Sequence, residues 1–206
     1  MNAVFREPLV SADQSIYERL GLPKNNLWVF GYGSLMWNPG FPYNEAMRGR
    51  IYGYHRSLCL RSVRYRGTDS RPGLVFGLDR GGSCTGMCYQ LEIARQREIT
   101  SYLQDREMLN DAYDPFIRTV SLDDGRCVDA IVFVVRRQHP AYVRNLTPDQ
   151  IAGIVANASG QRGPNLDYVI STIKVLEEFG IRDRELSNVG RLASAQSAKN
   201  SELNHG

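Results

Sequence analysis

Only four cysteines and three histidines occur among the 206 residues. None of Cys59, Cys84, Cys88 and Cys127 forms a C-x-x-C pair, and His55, His139 and His205 sit far from Cys84 and Cys88. A zinc site needs closely spaced ligand pairs, so no metal is expected. In a strand, Cys84 and Cys88 share a face but lie too far apart along it to bridge. All four are read as reduced thiols, mostly packed as small apolar groups. No window approaches the roughly 20 apolar residues of a membrane span. Met1 to Leu20 contain no apolar signal core. These two absences set the expectation of a cytoplasmic protein that is not inserted in a membrane. The net charge of +3 is too small for the basic stripe of a nucleic-acid binder, so no nucleic-acid partner is expected.

The common phosphate and nucleophile motifs are missing as well. A dinucleotide fingerprint requires glycine three residues after Gly33, where Met36 stands. No Gly-Lys-Ser or Gly-Lys-Thr of a P-loop occurs. A serine nucleophile elbow requires glycines two residues before and after Ser34, and Tyr32 and Met36 occupy those places.

What remains is an ordinary globular composition, 42% hydrophobic and 23% charged, enough for one domain with a sizeable core. Residues 1–25 read as a polar arm with a helical turn or two around Ser11 to Leu20. Leu27 to Phe30 read as a buried strand ended by Gly31. Ile51 to Leu60, Gly73 to Leu78 and Gly86 to Glu92 read as strands, the last two separated by the turn signal Asp79-Arg80-Gly81-Gly82. Ala94 to Leu109 has helical composition. Phe116 to Leu122 and Cys127 to Arg136 form a hairpin across Asp123-Asp124-Gly125, with Val128 to Val135 apolar enough for a central strand. Thr147-Pro148-Asp149-Gln150 is a helix-start signal. Asn165 is placed to cap a further helix carrying Leu166, Val169, Ile170, Ile173 and Leu176, closed by Gly180. A short helix follows around Asp183 to Leu192, and Ser194 to Gly206 read as a disordered polar tail. The domain thus spans 26–193. Strands in the middle and helices at the end predict an α+β fold, a mainly antiparallel sheet or small barrel with packed helices.

Three features bear on chemistry. Arg48, Arg50, Arg56, Arg61, Arg64, Arg66 and Arg71 cluster with few acids between them, which suits either a small anionic substrate or a solvated strand surface. Gly31-Tyr32-Gly33-Ser34 ends a buried strand, and reads equally as a tight turn or as a backbone nest for a carboxylate or phosphate. Ile99, Leu103 and Glu107 follow at i, i+4 and i+8 with Tyr102 beside them. If the helix persists, it aims the Glu107 carboxyl at the core, where burial raises its pKa and suits it to proton transfer. If the helix frays at Arg106, Glu107 is exposed instead.

These segments, taken in order, resemble one family. Trp28-Val29-Phe30-Gly31-Tyr32-Gly33-Ser34-Leu35-Met36-Trp37-Asn38-Pro39 is similar to the opening of the ChaC-type, glutathione-specific γ-glutamylcyclotransferases. Gly53-Tyr54-His55-Arg56, Arg66-Gly67-Thr68 with Arg71-Pro72-Gly73, and Cys84-Thr85-Gly86 with Tyr89 follow the family order. So do Tyr102-Leu103 with Arg106-Glu107 and then Tyr113, and Gly160, Gly163-Pro164-Asn165 and Tyr168. The resemblance runs over roughly 27–190. Met108-Leu109-Asn110-Asp111 departs from a more glycine-rich stretch in some members.

The resemblance implies a mixed fold around a small β-barrel and a lyase that acts on glutathione without metal or cofactor. It implies Glu107 as the proton-transfer acid and Tyr32, Gly33, Ser34 and Leu35 as the substrate loop. Position and chemistry add Arg66 for a substrate carboxylate and Tyr113 for a hydrogen bond near the γ-glutamyl group. Two rival expectations stand beside it: the same chemistry on other γ-glutamyl peptides or amines, and a non-catalytic protein tied to cation transport.

Overall fold

In the computed structural model, residues 15–21, 26–108 and 111–203 are described. The fold is the expected α+β type, a closed five-stranded barrel in the order β1-β3-β2-β4-β5 with helices packed around it. The strands are β1 (Trp28–Gly31), β2 (Tyr43–Ser62), β3 (Gly73–Leu91), β4 (Tyr113–Leu122) and β5 (Cys127–Val135). Neighbours run antiparallel except where β1 meets β5, Trp28 opposite Ala130, and at one β3–β5 contact, Leu78 opposite Val134. Every residue of β5 from Ala130 to Val135 is buried, as its near-continuous apolar run predicts for a strand covered on both faces.

The two strands expected at Gly73 to Leu78 and Gly86 to Glu92 are one. Asp79-Arg80-Gly81-Gly82 does not reverse the chain. Gly81 and Gly82 take φ +104° and +69°, opposite an irregularity between Tyr52 and Tyr54 that includes Gly53 at φ +82°. A bulge uses the same glycine chemistry as a turn, and here it bends the long β2–β3 ribbon so that the barrel can close.

The helices are α1 (Ile16–Arg19), α2 (Gln96–Glu107), α3 (Pro148–Asn157), α4 (Asn165–Glu178) and α5 (Arg184–Leu203). Ser11 to Gln14, the first part of the expected helical turn, lie outside the described residues. α1 is not loose: Ile16 is fully buried and its N–H donates to Gln104 Oε1 at 2.8 Å, pinning the arm to α2. α3 begins as its sequence predicts, Thr147 and Gln150 forming a reciprocal capping box.

Two expectations at the C-terminal end are corrected. Asn165 is not a cap but the first helical residue. Its buried amide accepts from the Leu74 N–H at 2.6 Å and donates to the Leu74 carbonyl at 2.8 Å, so it pairs like a strand with the edge of β3. The stretch from Ser194 is helical through Leu203 rather than disordered. Alanine is the best helix former, Ala193 is fully buried, and Asn200 donates to Asn157 Oδ1 on α3 at 2.9 Å.

Candidate active site

The strand β1 stops at Gly31 because the chain must turn under β3. The Gly31 carbonyl passes so close to Gly86 that a Cβ there would sit 2.2 Å away. A single 3-10 turn, Ser34–Met36, follows. The first N–H groups of such a turn have no acceptor within it and are available to a ligand. The loop is held from two sides. Arg56 Nε donates to the Tyr32 carbonyl at 2.5 Å. Arg106 Nη2 donates to Ser34 Oγ at 3.0 Å, and its Nη1 donates to the carbonyls of Asn38 at 2.6 Å and Pro39 at 3.1 Å.

The helix α2 does not fray at Arg106. It runs to Glu107 as its last residue, with Ile99 and Leu103 buried on the stripe that leads there. The Glu107 side chain is 17% exposed, and Arg106 Nε lies 3.1 Å from its Oε1. Burial pushes the carboxyl pKa up, while the Arg106 charge and hydrogen bond oppose the shift.

Glu107 and the loop meet across one cavity. Tyr32, Gly33, Ser34, Leu35, Glu107 and Tyr113 all line it, with Phe76, Phe133 and Tyr168 completing the wall. At about 50 Å³ it holds a few water molecules, so it admits one end of a peptide rather than a whole one. The phenol walls are neutral: burial drives Tyr32, Tyr113 and Tyr168 above the ordinary tyrosine range. Tyr32 gives its proton to the Phe133 carbonyl at 2.9 Å and Tyr113 to the Phe76 carbonyl at 2.7 Å. Their oxygens therefore face a ligand as acceptors, which suits an ammonium group.

Arg66 does not line this cavity. It stacks over the Tyr168 ring at 5.0 Å, with Nη1 donating to the carbonyls of Arg162 at 2.6 Å and Pro164 at 3.3 Å. Trp37, partly exposed, approaches the same tyrosine at 6.5 Å. Phe76, Phe133 and Arg106 are site residues that the sequence reading does not single out. For Arg106 a signal exists in its place beside the acid, whereas nothing in the alternation of β3 and β5 marks the two phenylalanines.

A larger cavity, about 430 Å³, lies outside β2 and β3 and is lined by His55, Cys59, Asp79, Arg137 and Tyr142 among others. Its groups are committed to one another. Burial would raise the Asp79 pKa, but hydrogen bonds from Arg137 and Tyr142 hold it below the ordinary range. The Cys59 thiol is pushed up to about 12, chiefly by burial. An acid already bonded on both oxygens and a thiol that stays protonated offer neither base nor nucleophile at neutral pH. Among the described residues no cluster of His, Cys, Asp and Glu could hold a metal ion, and no helix is long and apolar enough to cross a membrane.

The five-stranded barrel with packed helices is the fold of the γ-glutamyl cyclotransferases. The crystal structure of the yeast γ-glutamyl cyclotransferase specific to glutathione matches it with a TM-score of 0.75 at 21% identity, over 84% of this chain and all of that one. The chain belongs to the ChaC-like family, whose model it matches over residues 27–196. The glutathione-specific γ-glutamylcyclotransferase of Escherichia coli strain K12 is 41% identical over 164 residues, 79% of this chain and 71% of the relative. The mouse glutathione-specific γ-glutamylcyclotransferase 1 is 34% identical over 158 residues, 75% of this chain and 71% of the relative.

Proposed function

We propose that this protein is a glutathione-specific γ-glutamylcyclotransferase, a lyase that cleaves glutathione into 5-oxoproline and Cys-Gly. The observation that carries the reading is the single carboxyl group, Glu107, lining one cavity with the Gly33–Leu35 loop. In glutathione the γ-glutamyl α-amine reaches its own γ-carbonyl. The nucleophile is already tethered, so most of the entropic cost of meeting is prepaid and no serine or cysteine nucleophile is needed.

Glu107 takes a proton from the α-ammonium. The amine nitrogen attacks the γ-carbonyl carbon and closes a five-membered ring. The bond to the cysteine nitrogen breaks as Glu107 returns its proton to that leaving amine, and the ring nitrogen sheds its second proton to solvent, leaving the neutral lactam. The N–H groups of Gly33, Ser34 and Leu35 hold the γ-glutamyl end, and the Tyr113 oxygen accepts from its ammonium. The family and its similar relatives support this assignment, and free thiols at all four cysteines suit a reducing cytoplasm.

The cavity takes only the γ-glutamyl end, so the leaving dipeptide lies outside it, beside Tyr168, whose ring both Trp37 and Arg66 approach. Arg66 offers its outer edge to the glycine carboxylate. Purified protein incubated with millimolar glutathione is expected to release 5-oxoproline and Cys-Gly in equal amounts. Absence of both would overturn the assignment, and faster turnover of other γ-glutamyl amines would move it to a different substrate. Arg66→Ala is expected to raise KM for glutathione about 10-fold while changing kcat little, because a contact equal in ground and transition states acts on KM alone. A kcat loss as large as the KM rise would remove Arg66 from a purely binding role.

A further inference from the structure

Arg56 lies on β2 with its side chain 4% exposed. A guanidinium that deep must spend its donors on protein acceptors. Nε donates to the Tyr32 carbonyl at 2.5 Å, and Nη2 donates to the Thr85 carbonyl on β3 at 2.8 Å and lies 3.7 Å from the Met36 sulfur. Tyr32 and Met36 bracket Gly33, Ser34 and Leu35, so one side chain touches both ends of the loop. The third arm, Nη1, meets Asp183 Oδ2 at 3.0 Å.

Asp183 immediately precedes α5. Its second oxygen, Oδ1, accepts from the Leu186 N–H at 3.0 Å, and its carbonyl accepts from the Ser187 N–H at 3.0 Å. The two carboxylate oxygens therefore have separate tasks. One caps α5 and the other orients Arg56. Neither residue lines the cavity, and any effect they have on chemistry passes through the loop backbone.

We propose that Asp183 and Arg56 are positioning residues for the cyclisation, a carboxylate at the start of the last helix fixing the guanidinium that sets the substrate loop. The inference rests on Gly33 to Leu35 being the loop that holds the γ-glutamyl group. The physical case is that of a buried ion with three arms. Without the Asp183 charge, Arg56 lacks one of its acceptors, and a buried charge short of a partner reorients or draws in water. The Tyr32 carbonyl then loses a fixed donor. A displacement of about 1 Å in groups that hold reacting atoms costs on the order of 10²-fold in rate.

Asp183→Asn separates the two tasks. Asparagine caps as well as aspartate, so its oxygen keeps the Leu186 N–H and its amide nitrogen turns toward Arg56, donor against donor. Turnover of glutathione is measured well below the unfolding midpoint, where every variant is fully folded. Asp183→Asn is expected to lower kcat/KM by about 10- to 100-fold, mostly through kcat. Arg56→Lys is expected to fall at least as far. The double variant is expected to fall no further than Arg56→Lys alone, because the two act as one unit.

Thr147→Ala, which removes the side-chain cap of α3 and touches no part of the site, is the control for a purely structural role. It is expected to lower the midpoint and leave kcat/KM unchanged. Hydrogen exchange of the amides from Tyr32 to Met36 gives a readout independent of turnover, faster in Asp183→Asn and unchanged in Thr147→Ala. Wild-type kcat and wild-type exchange in Asp183→Asn would overturn the inference, as would losses that simply add in the double variant. A wild-type protein that releases no 5-oxoproline would sink the assignment of function instead, and the exchange experiment would still decide whether Asp183 sets the loop.

Discussion

Glu107→Gln is expected to release 5-oxoproline from glutathione about 10³-fold more slowly than the wild type, with KM little changed. A positioned general acid or base contributes on the order of 10²–10⁴-fold, and here one group serves both as base and as acid. Glutamine keeps the shape and an oxygen for Arg106 Nε, but its amide can neither take the ammonium proton nor return it. The protein should not lose stability. Burial raises the folded-state pKa of Glu107, so its ionised form is penalised in the fold. That penalty is absent below the ordinary carboxyl pKa and grows as pH rises through the folded-state value. Near neutrality the neutral amide removes it, and the unfolding midpoint is expected to be equal to or above that of the wild type. A variant with wild-type turnover would take the proton-transfer role from Glu107. A variant that is inactive because it is unfolded would show itself in circular dichroism.

The acid is legible in the sequence because a helix is a local object. Ile99, Leu103 and Glu107 recur at four-residue steps, and two buried apolar side chains dictate where the third points. The loop is half legible: glycines mark a sharp turn after a buried strand, but whether a ligand uses it depends on what lies opposite. The walls are not legible, because Phe76, Phe133 and Tyr168 come from β3, β5 and α4 and meet only when the barrel closes. The bend at Gly81-Gly82 reads as a reversal because bulges and turns draw on the same left-handed glycines. Asn165 reads as a cap because capping is the common local use of asparagine, while its actual partner, Leu74, is 91 residues away. The second half of the last helix, from Ser194, reads as disorder because short polar and alanine-rich sequence carries little apolar signal. Its order comes from packing on α3, which composition does not reveal.

Arg106→Gln is expected to lower the pH-independent kcat/KM by on the order of 10²-fold and to move the acidic limb of the pH profile to higher pH. The two effects have different origins. Arg106 joins the acid to the loop with five contacts: Glu107 Oε1 at 3.1 Å, Ser34 Oγ at 3.0 Å, Tyr102 Oη at 2.9 Å, and the carbonyls of Asn38 and Pro39. Glutamine is too short to reach across, so the loop and the acid lose their common anchor and the reacting geometry loosens. The shift of the limb is electrostatic. Among the described residues the Arg106 cation is the titratable group that acts on Glu107, lowering its pKa; the phenols of Tyr32, Tyr113 and Tyr168, themselves pushed up by burial and by the Glu107 charge, stay neutral across the working range. With Arg106 gone, burial acts unopposed and the folded-state pKa rises further. The base form of Glu107 exists above that pKa, so turnover appears at higher pH than in the wild type. Arg106→Lys separates the causes. Lysine keeps a charge but not the planar fork, so it should restore part of the limb position while the plateau stays low. A plateau at the wild-type level in Arg106→Gln would show that Ser34 and its loop hold their place without this anchor, and a limb that does not move would show that water rather than Arg106 carries the charge of the acid.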